Sequence, residues 1–115
     1  MVNPSGRKGS QWETDVAKYL AEEFPGVERR VKNGVLDRGD ITGLGSVVIE
    51  AKAERTIDLP GYLKELEVEC ANADARFGFV FVKNRRHSVG EGYAVISIAS
   101  ARTLLRLLQD GGHLA

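Results

Sequence analysis

The stretch that most constrains this chain is Asp40-Ile-Thr-Gly-Leu-Gly-Ser-Val-Val-Ile-Glu50-Ala-Lys52. Two apolar-rich runs flank a Gly-Leu-Gly turn, the pattern of an antiparallel hairpin. Successive strand side chains point to opposite faces. Val47, Ile49 and Ala51 therefore share one face, and Val48, Glu50 and Lys52 the other. With Gly43-Leu44-Gly45 as the turn, Thr42 pairs with Ser46, Ile41 with Val47 and Asp40 with Val48. Ile41 then joins the apolar face. Asp40 lies diagonal to Glu50 on the opposite face, about 7–8 Å away at the backbone and within joint reach of one ion. Two carboxylates and an ammonium converge beside a buried layer. The face reads either as a divalent-metal site with an adjacent cation or as a solvated surface where Lys52 screens two acids. Both carboxylates share a face only if the turn has an odd length; a two-residue turn would separate them.

At 115 residues the chain is expected to form one domain with a core of its own. No apolar run approaches the roughly 18 residues of a membrane span, and the N-terminus lacks the apolar core of a signal peptide. The expectation is an intracellular, cytoplasmic protein without a membrane partner. Cys70 is the single cysteine, so neither an internal disulfide nor a cysteine-based zinc cluster is available. Sixteen basic and sixteen acidic residues cancel, but they are segregated. Acids dominate from Glu54 through Glu69, with Asp58, Glu65 and Glu67 between. Bases gather at Arg7-Lys8, at Arg29-Arg30 with Lys32, at Arg38, and at Lys83 with Arg85-Arg86-His87. Such segregation gives a one-sided basic footprint or simply scattered solvated charges.

Residues 1–9 are polar and contain glycines, which predicts a flexible arm ahead of a single domain over 10–115. Ser10 and Glu13 make a capping-box pattern, and a helix follows to about Phe24 before Pro25-Gly26. On that helix Tyr19, Trp12, Val16, Leu20, Phe24 and Ala17 form an apolar arc. Glu13 falls inside the arc, as a cap or as a functional acid. Val27–Lys32 alternates as a first strand, Asn33-Gly34 is a turn signal, and Val35–Thr42 and Ser46–Lys52 are the next two strands. Leu59, Leu63, Leu66 and Cys70 recur at helical spacing up to about Asp74, so Cys70 reads as a small core residue. Phe77–Val82 is a wholly apolar strand of the kind covered on both faces. Lys83–Glu91 is a basic loop, Gly92–Ile98 a fifth strand, and Ser100 a cap for a last helix to about Asp110. The leucines of that helix spread too widely for one core stripe. His87 and His113 read as surface residues. The order is αβββαββα, an α/β fold (α+β, mixed sheet) with a central five-stranded sheet flanked by helices.

That order, with Lys8-Gly9 and Glu13 at the first helix, Arg30 in the first strand, Asp40-Ile41 in the second and Glu50-Ala51-Lys52 in the third, resembles the PD-(D/E)XK nuclease superfamily. Within it the chain is most similar to archaeal-type Holliday junction resolvases and the small resolvases of phages. The resemblance spans about Lys8 to Lys83 and implies a restriction-endonuclease-like core. Gly39 stands where the superfamily name has proline, and the second helix is more acidic than a DNA-facing helix would be.

The resemblance implies a Mg²⁺-dependent endonuclease acting on branched DNA, with Mn²⁺ able to substitute, whether its source is a cell or a phage. Asp40, Glu50 and the Ala51 carbonyl would hold the ion, with Glu13 completing the shell. Lys52 would orient or deprotonate the attacking water. Arg30 and Lys32 would hold the phosphate backbone, extended by Lys83, Arg85 and Arg86 and, from the N-terminal side, by Arg7, Lys8 and Ser10. A homodimer would match the two-fold symmetry of a four-way junction. The last helix and an exposed face of Phe77–Val82 are candidate dimer surfaces. Other readings are a flap-cutting or restriction-type nuclease, or a non-catalytic nucleic-acid-binding domain.

Overall fold

A computed structural model describes residues 4–30 and 37–114, with side chains from Gly9 onward. The Asn33-Gly34 turn, Lys32 and the start of the expected second strand lie outside the described residues, as do the side chains of Arg7 and Lys8. Eight elements and one 3-10 turn run in the order α1 (Pro4–Ala21), β1 (Glu28–Arg29), β2 (Ile41–Thr42), β3 (Val47–Lys52), α2 (Leu59–Asn72), β4 (Phe77–Val82), the turn Val89–Glu91, β5 (Tyr93–Val95) and α3 (Ile98–Asp110). The expected αβββαββα order holds. The strands form one mixed sheet in sequence order, with β3 and β4 parallel and the other neighbours antiparallel. A parallel pair needs a long crossover, and α2 is that crossover.

β3 sets the layers. Ile49 and Ala51 pack against Trp12, Val16 and Ala17 of α1, together with Val27 and Ile41. Val48 packs on the other side against Tyr62 and Leu66 of α2, with Val80 and Val82 of β4. β4 is therefore packed on both faces, as its apolar sequence requires, with Phe79 and Phe81 half-buried. Gly78 is needed there, because a Cβ at that position would lie 2.5 Å from the Val48 carbonyl oxygen.

Several boundaries differ from expectation for local reasons. The helix expected from Ser10 begins at Pro4, so the predicted arm is helical from that residue. Proline suits the opening position because its missing N–H has no intrahelical partner there. Ser10 therefore lies inside α1, and its carbonyl accepts a hydrogen bond from the Thr14 hydroxyl at 3.0 Å. Phe24 follows the helix end and is half exposed, and Tyr19 on the arc's edge is exposed as well. The buried stripe of α2 is Tyr62, Leu66 and Glu69, one residue off the predicted Leu59–Cys70 stripe. Leu59 is exposed, while Leu63 and Cys70 are half-buried beside the core. α3 is capped by the Ser97 side chain, which accepts from the Ser100 amide, so it starts earlier than Ser100. None of its residues is buried, and Ile98, Leu105 and Leu108 are exposed. No helix among the described residues is long and apolar enough to cross a membrane.

The hairpin register also differs. Ile41 pairs with Ile49, two residues beyond the predicted Val47. The longer loop lets Leu44 pack against the α1-side core. Gly43, at φ +102°, runs against the Gly26 backbone, where a Cβ would lie 2.3 Å from the carbonyl oxygen. A shift of two residues preserves the alternation of faces. Asp40 and Glu50 therefore stay on the same side of the sheet.

Candidate functional site

β3 delivers the site by alternation, since the residues between Ile49 and Ala51 and beyond face α2. Asp40, just before β2, is fixed twice against that strand. Its amide donates to the Ile49 carbonyl at 2.9 Å, and its Oδ2 accepts from the Ala51 amide at 2.8 Å. Asp40 and Glu50 are 1% and 5% exposed, so the predicted carboxylate pair is a buried one. The register shift brings them closer along the strands than the predicted diagonal. Gly39 has φ +94°, which a proline fixed at about −65° cannot adopt.

Sequence reasoning missed a third buried acid. Glu69 of α2 is 1% exposed and faces Glu50, and carboxylate oxygens of Asp37, Glu50 and Glu69 all lie within 4.8 Å of one another. The signal was present: Glu69 lies three residues beyond Leu66 and seven beyond Tyr62 on the same helical stripe. Like Glu13 on α1, Glu69 is a carboxylate set on an apolar helical stripe. Asp37 had no comparable signal, because a loop brings it in. The Asn72 amide donates to the Asp37 carbonyl at 2.8 Å and ties that loop to the end of α2.

Burial governs the electrostatics. Desolvation, hydrogen bonding with Glu69 and Asp40, and repulsion from both push the Glu50 carboxyl up to about 11. Glu69 is also raised, chiefly by desolvation, although its contact with Glu50 works the other way. Without a cation, burial among acids therefore favours the protonated form of Glu50. For Lys52, burial works to lower the pKa, but the hydrogen bond to Glu65 and the surrounding acids outweigh it, and the net shift is upward. Its Nζ lies 2.8 Å from Glu65 and 5.1 Å from the centre of the Tyr62 ring. Lys52 is thus a charged ammonium at neutral pH, suited to donating and to stabilising negative charge. It is not poised as a base.

The mouth is an open cleft of about 930 Å³ whose lining includes Glu13, Glu50, Ala51, Lys52, Arg55 and Arg85. Glu13 stands on the cleft wall with its carboxylate paired to Arg29 at 2.8 Å. It does not occupy a capping-box position, because α1 begins at Pro4. Arg30 joins the site through its backbone, its amide donating to the Asp40 carbonyl at 2.8 Å. Its Nε is buried without a hydrogen bond among the described residues. Lys83, Arg85 and Arg86 line an adjoining groove of about 320 Å³ with Ala53. Lys83 is anchored by its amide to the Lys52 carbonyl at 2.9 Å, and its Nζ lies 6.0 Å from the centre of the Trp12 ring. Arg55 on the cleft lining was not foreseen. Ser10 is half-buried on α1.

Buried acids next to a fixed ammonium and a cationic rim suit a hard divalent cation and an anionic ligand. Compared with protein-family models, curated proteins and solved structures, the chain has no match in any of the three.

Proposed function

We propose that this chain is a Mg²⁺-dependent endonuclease of the PD-(D/E)XK type, with a restriction-endonuclease-like core, that hydrolyses phosphodiester bonds in branched DNA, foremost four-way junctions. One observation supports the reading most: two buried carboxylates, Asp40 and Glu50, meet beside the Lys52 ammonium where an open cleft reaches the sheet. Glu50 Oε2 is buried with no hydrogen-bond partner among the described residues, the state expected of an oxygen built to meet a cation.

Asp40, Glu50 and the Ala51 carbonyl are the residues that would hold Mg²⁺, with Mn²⁺ as a substitute. When bound, the ion supplies Lewis acidity toward water and the scissile phosphate. The rest falls to the chain. To serve as a ligand, Glu50 would release its proton to solvent through the open cleft that it lines. Asp40, its Oδ2 fixed by the Ala51 amide, orients the pair. The Lys52 ammonium donates toward the attacking water or the phosphate oxygens, where charge accumulates in the transition state. Arg55 and Arg85 on the cleft and Lys83 and Arg86 on the adjoining groove bind flanking phosphates without reading sequence. Glu13 stays a wall residue while Arg29 holds it. A junction has two-fold symmetry, so two copies are needed for symmetric cutting, and the exposed Ile98, Leu105 and Leu108 face of α3 is the available surface.

The test compares cleavage of a four-way junction, a flap and a linear duplex in Mg²⁺, with Asp40→Asn and Lys52→Ala alongside. Junction cutting lost in both variants supports the reading. Wild-type rates in both variants would remove the site. A protein that cuts the flap and spares the junction is a nuclease but not a resolvase, and a monomer by light scattering at micromolar concentration counts against the resolvase.

A further inference from the structure

Glu69 has no part in the hydrolytic mechanism above, yet it is among the most deeply buried side chains of the molecule. Its carboxylate is 1% exposed, and no N–H or hydroxyl among the described residues donates to either of its oxygens. Lys52, on the same side of the sheet, is engaged by Glu65 one turn earlier on α2. A charge in that position costs several kcal/mol unless it is compensated. The surroundings are acidic: Glu50 and Asp37 each bring an oxygen within 4.8 Å of a Glu69 oxygen.

We propose that Asp37, Glu50 and Glu69 form a divalent-cation site that shares Glu50 with the cleft and ties α2 to the β2–β3 hairpin. The spacing suits it. Six oxygens about 2.1 Å from a Mg²⁺ ion are separated by roughly 3.0–4.2 Å, and at the 2.4 Å of Ca²⁺ by roughly 3.4–4.8 Å. Mn²⁺ falls within the same span. The donor set is hard oxygen only, which excludes soft metals.

The three ligands come from three different elements. Asp37 is carried by the loop before β2, Glu50 by β3 and Glu69 by α2. Gly39 leaves the space beside Glu69 open: a Cβ there would lie 3.6 Å from Glu69 Oε2 and 2.7 Å from Val48 Cγ1. Asp37 is exposed, and neither it nor Glu69 lines the large cleft, so an ion reaches this site from the Asp37 side. The proposal shares one ligand with the nuclease reading and needs no hydrolysis.

The deciding experiment titrates Mn²⁺ and Ca²⁺ into the metal-free full chain by calorimetry, with the metal-induced rise in Tm as a second readout. The proteins compared are wild type, Asp37→Asn, Glu69→Gln and Asp40→Asn. The expected result is at least a tenfold loss of affinity, or one binding equivalent fewer, in both Asp37→Asn and Glu69→Gln, with a smaller metal-induced rise in Tm. Asp40→Asn retains an ion. Asp37 is exposed, so its variant reports even if the Glu69 variant folds poorly. Wild-type affinity, stoichiometry and Tm response in both variants would overturn the proposal whatever the cleavage assay shows. Loss of binding in both, in a chain that cuts no DNA, sustains the cation site and removes only the nuclease.

Discussion

The two sides of β3 are built from alternate residues of one six-residue strand, and they have been put to opposite uses. Toward α1, Ile49 and Ala51 join Trp12, Val16, Ala17 and Val27 in a dry apolar layer. Toward α2, the strand begins the same way with Val48 among Tyr62, Leu66 and Val80, then places Glu50 and Lys52 where the layer would continue. Asp40 and Glu69 are buried beside them. The first side stabilises the fold through area removed from water. The second side sinks three acids at 1–5% exposure, which opposes folding unless a proton or a cation compensates them. The one strand thus stabilises the fold on one face and opposes it on the other.

Four substitutions test that contrast, from the largest expected effect to the smallest. Trp12→Ala on the α1 side should cost about 3–5 kcal/mol of stability in urea titrations, since it removes a buried ring and its 2.9 Å hydrogen bond to the Phe81 carbonyl. A loss below about 1 kcal/mol would mean that the α1 layer is not the main core. Asp40→Asn should leave the fold intact by circular dichroism while lowering Mg²⁺-dependent cleavage by about 10²–10³-fold, the scale for one preorganised electrostatic group.

Glu50→Gln should do the reverse of a core substitution in metal-free buffer. The amide can donate to Asp40 and Glu69 without needing a proton, so Tm at pH 8 should rise by about 5 °C. The pH dependence carries the sign. The Glu50 carboxyl titrates near 4.5 when unfolded and near 11 when folded, so between those values the native state binds more protons. Stability then falls as pH rises through that window. Wild type should lose Tm steadily from pH 5 to 9, Glu50→Gln should show a shallower loss, and added Mn²⁺ should recover part of it by mass action. A wild-type profile that rises with pH over this range would mean that Glu50 is not buried as a protonated acid. The smallest effect belongs to Arg29→Ala. Its pair with Glu13 is half exposed, and losing it should change stability by less than about 1 kcal/mol.

The sequence carried the element order, the alternation along β3 and the apolar, doubly covered β4. These are local properties: a period of two or of 3.6 is readable wherever one side of an element is buried. The hairpin was legible in parity but not in register, because Leu44 and the close approach of Gly43 to Gly26 set the loop length from outside the hairpin. Ser10 and Glu13 looked like a capping box because the helix start was placed too late. With α1 beginning at Pro4, Glu13 lies within the helix and pairs across to Arg29.

By itself, then, the sequence determined that Asp40, Glu50 and Lys52 lie on one side of a sheet, since alternation allows nothing else once the turn is odd. Only the tertiary structure decided that this side is closed by α2, that Glu69 and Asp37 arrive there, and that Lys52 is engaged by Glu65. The reason is physical. Which face a side chain takes follows from backbone geometry one residue at a time. Whether its charge is buried, and with which partner, depends on packing between segments about 15–30 residues apart, which no local pattern encodes.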